Sequence, residues 1–155
     1  MGSECNIICC GNLYSSDDAV GLHAAWKLKT MKLPEGVQVI EAGTPGLNLL
    51  DLWEGHEKVI IVDAVMSGAV PGTIHVFDGS SLPPRDALPL CLHGFNVIDA
   101  IDLARSLGKL PEELRIVGIE ILTEEAYYEG LSEKVEAAVE PACRRVFEEA
   151  EKMLE

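Results

Sequence analysis

Three aspartates and a histidine lie where this sequence predicts strand ends and helix starts, and their side chains could bind a metal ion. Asp17 and Asp18 follow the first apolar run, Asp63 ends a later run, and His93 precedes a helical pattern. Two carboxylates and one imidazole suit a divalent first-row metal such as zinc, nickel or iron. Of the paired acids, we expect Asp17 to cap the following helix and Asp18 to point into a cleft.

Each candidate ligand also has a purely structural interpretation. An aspartate at a helix start more often caps that helix than binds a metal. Asp63 is the stronger candidate, because a lone acid at the end of a buried strand needs a partner. His93 could instead cap its own helix or pack against Pro89 and Leu92. The histidines without comparable neighbours are His23, His56 and His75.

Segments with strand and helix patterns alternate along the chain. Strands are predicted at 6–10, 37–41, 58–63, 73–77 and 114–121, and helices at 18–31, 47–53, 97–107 and from 132 onwards. Ser15 or Ser16 could cap the first helix, and Pro141 should kink or restart the last one. This order predicts a three-layer α/β sandwich, with a mostly parallel five-stranded sheet, one antiparallel strand and helices on both faces. The candidate ligands could converge at one edge of this sheet, beyond the carboxyl ends of its parallel strands.

The connection 64–72 sets the direction of one strand. It contains Gly68, Pro71 and Gly72 and is too short for a crossover helix, which needs a dozen or more residues. We therefore expect the strands 58–63 and 73–77 to run antiparallel.

Composition narrows the class of protein. The chain has 155 residues, which fits a single domain over 1–155, and its formal net charge of −14 disfavours nucleic acid as a partner. Neither a membrane span nor a signal peptide is visible, which predicts a cytoplasmic protein that does not contact membranes. The five cysteines form no CxxC pair, and Cys9 and Cys10 have the surroundings of small core residues.

Other kinds of catalytic site have weaker support. Cys91 lies two residues before His93, a spacing that rarely lets the imidazole reach the thiol productively. The chain contains no G-x-S-x-G elbow and no glycine-rich nucleotide motif. The residues by themselves therefore predict an α/β domain with a metal-seeking cleft and leave its reaction open.

Five motifs in order resemble those of the hydrogenase maturation endopeptidases, which process the large subunit of [NiFe] hydrogenases. They are Gly11-Asn12 with Asp17-Asp18 and Gly21; Gly43-Thr44 with Gly46 and Leu49-Leu50; Val62-Asp63-Ala64 with Pro71-Gly72; His93 before the helix 98–107; and the strand 116–120. The resemblance runs from Ile7 to about Met153. Cys9 and Ala19 stand where the family often has glycine, and Asp18 stands where some members have glutamate.

The resemblance implies a specific reaction. Members of this family cut a C-terminal extension from the large-subunit precursor after nickel insertion, and the nickel in the precursor is their recognition signal. Asp18, Asp63 and His93 would be the catalytic, metal-binding residues, and zinc or cadmium could replace nickel in vitro. The matched turn at Gly43, Thr44 and Gly46 would contact the substrate.

The same resemblance implies a partner and leaves alternatives. The partner would be a hydrogenase large-subunit precursor, and the protease itself would be a monomer. From their length and position as loops, we expect the segments 80–92 and 123–131 to form walls or lids of the cleft. A non-catalytic nickel-dependent chaperone or hydrogenase-associated subunit with the same fold is the main alternative. A metal-dependent hydrolase of small substrates is a third.

Overall fold

A five-stranded sheet forms the centre of the protein. The computed structural model describes residues 4–14, 16–44, 48–79, 82, 97–122 and 130–155. The strands are β1 (Cys5–Cys10), β2 (Val37–Gly43), β3 (Lys58–Val65), β4 (Ile74–Asp78) and β5 (Glu113–Glu120). Their order in the sheet is β2-β1-β3-β5-β4, and every neighbouring pair is parallel except β4 with β5. The predicted fold class is confirmed.

The neighbour of β4 differs from the simplest expectation. β4 is antiparallel to the other strands, as the short connection predicts, but it pairs with β5, where His75 lies opposite Gly118. β5 therefore separates β4 from β3. The connection crosses the end of β5, where the Gly72 N–H donates to the Glu120 carbonyl at 2.8 Å.

Helices cover both faces of the sheet. They are α1 (Val20–Leu28), α2 (Asn48–Trp53), α3 (Val97–Leu107) and α4 (Glu133–Leu154). Side chains that alternate along the strands pack on one face against α1 and α4 and on the other against α2 and α3, which gives two hydrophobic clusters. None of the described helices is both long and apolar enough to cross a bilayer.

Two helix boundaries differ from the sequence prediction. A 3-10 turn, Ser16–Ala19, precedes α1, and the N-cap position of α1 is Ala19, where no described side chain makes a cap hydrogen bond. Ser16 is thus not the helix cap. α4 continues through Pro141 without restarting, because apolar side chains on both sides of the proline hold the helix on the sheet.

Candidate functional site

Two glycines set the position of Asp18 through close backbone contacts. A Cβ atom on Gly11 would lie 2.6 Å from the Asp18 carbonyl oxygen, and one on Gly21 would lie 1.9 Å from the Cys10 carbonyl oxygen. The 3-10 turn and the start of α1 therefore press directly on β1. This contact explains why glycines flank the paired acids in the sequence.

Asp18 and Asp63 come together at the carboxyl edge of the sheet. Asp63 lies on β3, on the face that α2 and α3 cover, and the N–H of Ala64 donates to its Oδ1 at 2.8 Å. Asp18 accepts a hydrogen bond from the Asn12 N–H at 3.3 Å. Burial and the nearby Asp18 charge raise the pKa of Asp63 from 3.8 to about 8. Ionising both carboxyl groups at once is therefore unfavourable, and Asp63 mostly keeps its proton near pH 7 when no cation is bound.

Cys10 lies beside both carboxylates. Its side chain is buried, and burial together with the charges of Asp63 and Asp18 raises the pKa of its thiol well above the usual range. The thiol therefore stays neutral and contributes an uncharged wall to the site. The expectation that Cys9 and Cys10 are core residues is confirmed.

The donor atoms at this site fit a divalent cation. Two facing carboxylates supply hard oxygen ligands whose repulsion a cation would relieve. Within the described ranges, no group of three or more His, Cys, Asp or Glu side chains could hold a metal ion. His93, the predicted third ligand, lies outside these ranges, and the ligand set remains a prediction.

Asp17 has a different role from its neighbour. It is fully buried, and its carboxylate accepts hydrogen bonds from the Leu122 N–H at 3.0 Å and from the N–H and hydroxyl of Ser132 at 2.6 and 2.8 Å. Ser132 is the N-cap residue of α4. The expectation that Asp17 caps its own helix is therefore wrong, since Asp17 secures the end of β5 and the start of α4.

The predicted substrate-binding turn is described only in part. The N–H of Gly11 donates to the Gly43 carbonyl at 2.6 Å, which places the end of β2 beside the loop before Asp18. Gly43 has a φ of +64°, and Thr44 is exposed. Gly46 lies outside the described residues. So do the proposed lid segments 80–92, apart from residue 82, and 123–131, apart from residues 130 and 131. Substrate binding by this turn remains a prediction.

Sequence reasoning missed a polar cluster at the end of β5. Glu120 is 1% exposed and accepts hydrogen bonds from the Ser67 N–H at 2.8 Å and the Ser67 hydroxyl at 2.5 Å, and His75 Nε2 lies 3.0 Å from its Oε1. Burial favours a higher pKa for Glu120, but the hydrogen bonds from Ser67 and His75 outweigh it and lower that pKa. Like Asp63, Glu120 follows an apolar run in the sequence, so the same pattern could have identified it.

This arrangement defines an α/β protein with an acidic pair, Asp18 and Asp63, at the carboxyl edge of its sheet. Comparison with known sequences supplies the family. The sequence profile described as "HycI: Hydrogenase maturation protease" matches residues 22–149, a range that includes Asp63 and His93 but not Asp18. The chain belongs to the hydrogenase maturation protease family.

Individual relatives agree with this assignment. The chain is 30% identical over 138 residues to the hydrogenase 2 maturation protease of Escherichia coli (strain K12), which covers 88% of this chain and 84% of that one. It is 32% identical over 152 residues to a putative hydrogenase maturation protease of Methanocaldococcus jannaschii, covering 94% and 96%. The solved structure of the hydrogenase maturating endopeptidase HybD from E. coli superposes with a TM-score of 0.74 at 26% identity, covering 92% and 89%. The protein is thus a hydrolase, a protease of hydrogenase maturation.

Proposed function

We propose that this protease removes the C-terminal extension of a [NiFe] hydrogenase large-subunit precursor after nickel insertion, and that the nickel in the precursor is its recognition signal. The observation that carries the proposal is the pair of facing carboxylates, Asp18 and Asp63. Without a cation this pair costs free energy, and a cation delivered by the substrate removes that cost.

The charges around Asp63 support this proposal. None of the ion pairs between described residues involves Asp63. Its hydrogen bond from the Ala64 N–H only partly offsets the effects of burial and of Asp18 on its pKa. Asp18, Asp63 and His93 would bind the nickel that the precursor carries. A bound divalent ion can polarise a scissile carbonyl or activate a water.

Cleavage should therefore depend on nickel in the substrate. The purified protease is mixed with its cognate precursor, in one sample loaded with nickel and in the other free of it, and intact masses are measured. We expect loss of one defined C-terminal peptide from the nickel-loaded precursor only. Cleavage of both forms would contradict the recognition signal, and cleavage of neither would favour the chaperone or subunit alternative.

Two variants test the assignment of the site in the same assay. Asp63→Asn removes one of the facing charges and should abolish cleavage. Asp51→Asn is the matched control, because Asp51 is an exposed aspartate on α2. It should cleave at the wild-type rate.

A further inference from the structure

Four large hydrophobic side chains are exposed at the edge of the sheet that carries the facing aspartates. Tyr14 follows β1, Met66 and Val70 follow β3, and Leu122 follows β5. Their exposed fractions are 61%, 41%, 65% and 64%, respectively, and so water covers most of this apolar surface. These four side chains are called the apolar rim below.

Backbone hydrogen bonds place two of the rim residues at neighbouring strand ends. The Ile121 N–H donates to the Val65 carbonyl at 2.9 Å, so Met66 and Leu122 leave neighbouring strands side by side. Val70 lies in the turn that leads into β4, where the Thr73 N–H donates to its carbonyl at 3.0 Å.

The rim also adjoins the candidate site. The N–H of Leu122 donates to the carboxylate of Asp17, which directly precedes Asp18 in the 3-10 turn. The N–H of Tyr14 donates to the side-chain oxygen of Asn12 at 3.0 Å, and the Asn12 N–H donates to Asp18. Both ends of the rim are therefore tied to the turn that presents Asp18.

The loop that carries Met66 and Val70 is held outward. The buried Glu120 carboxylate accepts the N–H and hydroxyl of Ser67, and the Thr73 hydroxyl donates to the Val70 carbonyl at 2.6 Å. These bonds anchor the loop at Ser67 and Val70 while Met66 and Val70 stay exposed. Exposed apolar side chains grouped beside a site are typical of an interaction surface.

We infer that the apolar rim is the docking surface for the large-subunit precursor, and that an apolar segment of the precursor covers it while the metal meets Asp18 and Asp63. The inference rests on the proposed function. A protein substrate whose metal reaches these aspartates must approach the same edge of the sheet. Because the chain carries a formal net charge of −14, basic residues should border the precursor's apolar segment.

A double substitution tests this docking surface. Val70→Ser with Leu122→Ser removes the two most exposed aliphatic side chains of the rim, and Leu107→Ser is the control. Leu107 is 54% exposed but ends α3, at the opposite edge of the sheet. Circular dichroism verifies that each variant is folded. Biolayer interferometry gives Kd for immobilised nickel-loaded precursor, and intact-mass kinetics give kcat and KM.

We expect the double variant to raise Kd and KM at least about tenfold with kcat unchanged, and Leu107→Ser to match wild type. Wild-type affinity of the double variant, or an equal loss in the control, overturns the docking surface while cleavage stands. The docking surface is also overturned if sedimentation velocity shows a dimer for wild type and a monomer for the double variant.

If wild type binds through the rim but does not cut, docking stands and the proposed proteolysis fails. If it neither binds nor cuts, both fail.

Discussion

Two acids at the ends of neighbouring strands differ sharply in their surroundings. Glu120 ends β5 and is surrounded by hydrogen-bond donors from Ser67 and His75, so its pKa is lowered despite burial. Asp63, near the end of β3, accepts one hydrogen bond, from the Ala64 N–H, which favours a lower pKa. Burial and the nearby Asp18 outweigh that bond and raise the pKa of Asp63 to about 8. Both acids lie on the same face of the sheet.

The difference separates an acid whose ionised form the fold stabilises, Glu120, from one whose ionised form the metal-free fold disfavours, Asp63. Donors around Glu120 satisfy its charge within the protein, which stabilises the end of β5. Asp63 and Asp18 would carry like charges when both are ionised, and a bound cation would offset their repulsion. The adjacent residues Asp17 and Asp18 repeat the contrast, because the donors around Asp17 tie three parts of the fold together.

The largest expected effect comes from removing the charge of Asp63. Asp63→Asn should lower cleavage of nickel-loaded precursor at least ~100-fold, the upper end of the loss seen when a residue supporting a metal ligand is changed. It should also stabilise the metal-free protein at pH 7, because the folded chain has to keep Asp63 protonated at a pH where the unfolded chain ionises it, and the amide removes that cost. One pKa unit corresponds to ~1.4 kcal/mol, and we expect a gain of about 1 kcal/mol or more in urea unfolding.

The pH dependence of this gain has a defined sign. The pKa of Asp63 is raised by folding, so the unfolded chain loses this proton at lower pH than the folded chain does. The contribution of Asp63 to stability therefore falls as pH rises from 3.8 to about 8. Wild type and Asp63→Asn should converge near pH 4 and separate towards pH 8. A difference that grows in the opposite direction would contradict the raised pKa.

Removing Asp17 should destabilise the fold most. Asp17→Ala leaves the N–H groups of Leu122 and Ser132 and the Ser132 hydroxyl without this acceptor. Hydrogen bonds to charged groups contribute ~1.5–3 kcal/mol each, so we expect a loss of about 3 kcal/mol in urea unfolding. Sequence reasoning predicts only a modest cap effect here. Asp18→Ala is the matched control and should lose cleavage with little loss of stability.

Local patterns explain how much the sequence could predict. Alternation of apolar runs predicts the layered α/β fold, and an acid after such a run predicts Asp63 at the strand end. The role of Asp17 depends on Ser132, 115 residues further along the chain, and no local pattern reports that contact. The position of β4 beside β5 is likewise a long-range pairing. His93 falls outside the described residues, so its part in the site is still a prediction.

Adding one methyl group to Gly21 should disturb the position of Asp18. A Cβ there would lie 1.9 Å from the Cys10 carbonyl and 2.9 Å from the Val62 carbonyl, so α1 must move away from the sheet. Overpacking of this kind costs ~1–3 kcal/mol. Gly21→Ala should lower both the midpoint of urea unfolding and the rate of cleavage. Gly55→Ala is not a matched control, because Gly55 has a φ of +78°. Ala25→Ser is a milder comparison, because Ala25 is also a buried residue of α1 and the substitution adds one atom there.

Glu120→Gln should have the smallest effect. The amide keeps one acceptor oxygen for Ser67 but loses the charge, which costs ~1 kcal/mol at neutral pH. Because folding lowers the pKa of Glu120 from 4.5, its stabilisation is present above pH 4.5 and disappears as pH falls through the folded value. Unfolding curves of wild type and variant should therefore converge in acid. A constant difference across pH would show that the charge of Glu120 is not what stabilises the cluster.

The most direct measurement compares the two strand-end acids in the reaction itself. Wild type, Asp63→Asn and Glu120→Gln are each mixed with saturating nickel-loaded precursor, and release of the C-terminal peptide is followed by intact mass. The facing-carboxylate account predicts no release with Asp63→Asn and near wild-type release with Glu120→Gln. Wild-type release by Asp63→Asn, or equal loss in both variants, would contradict it.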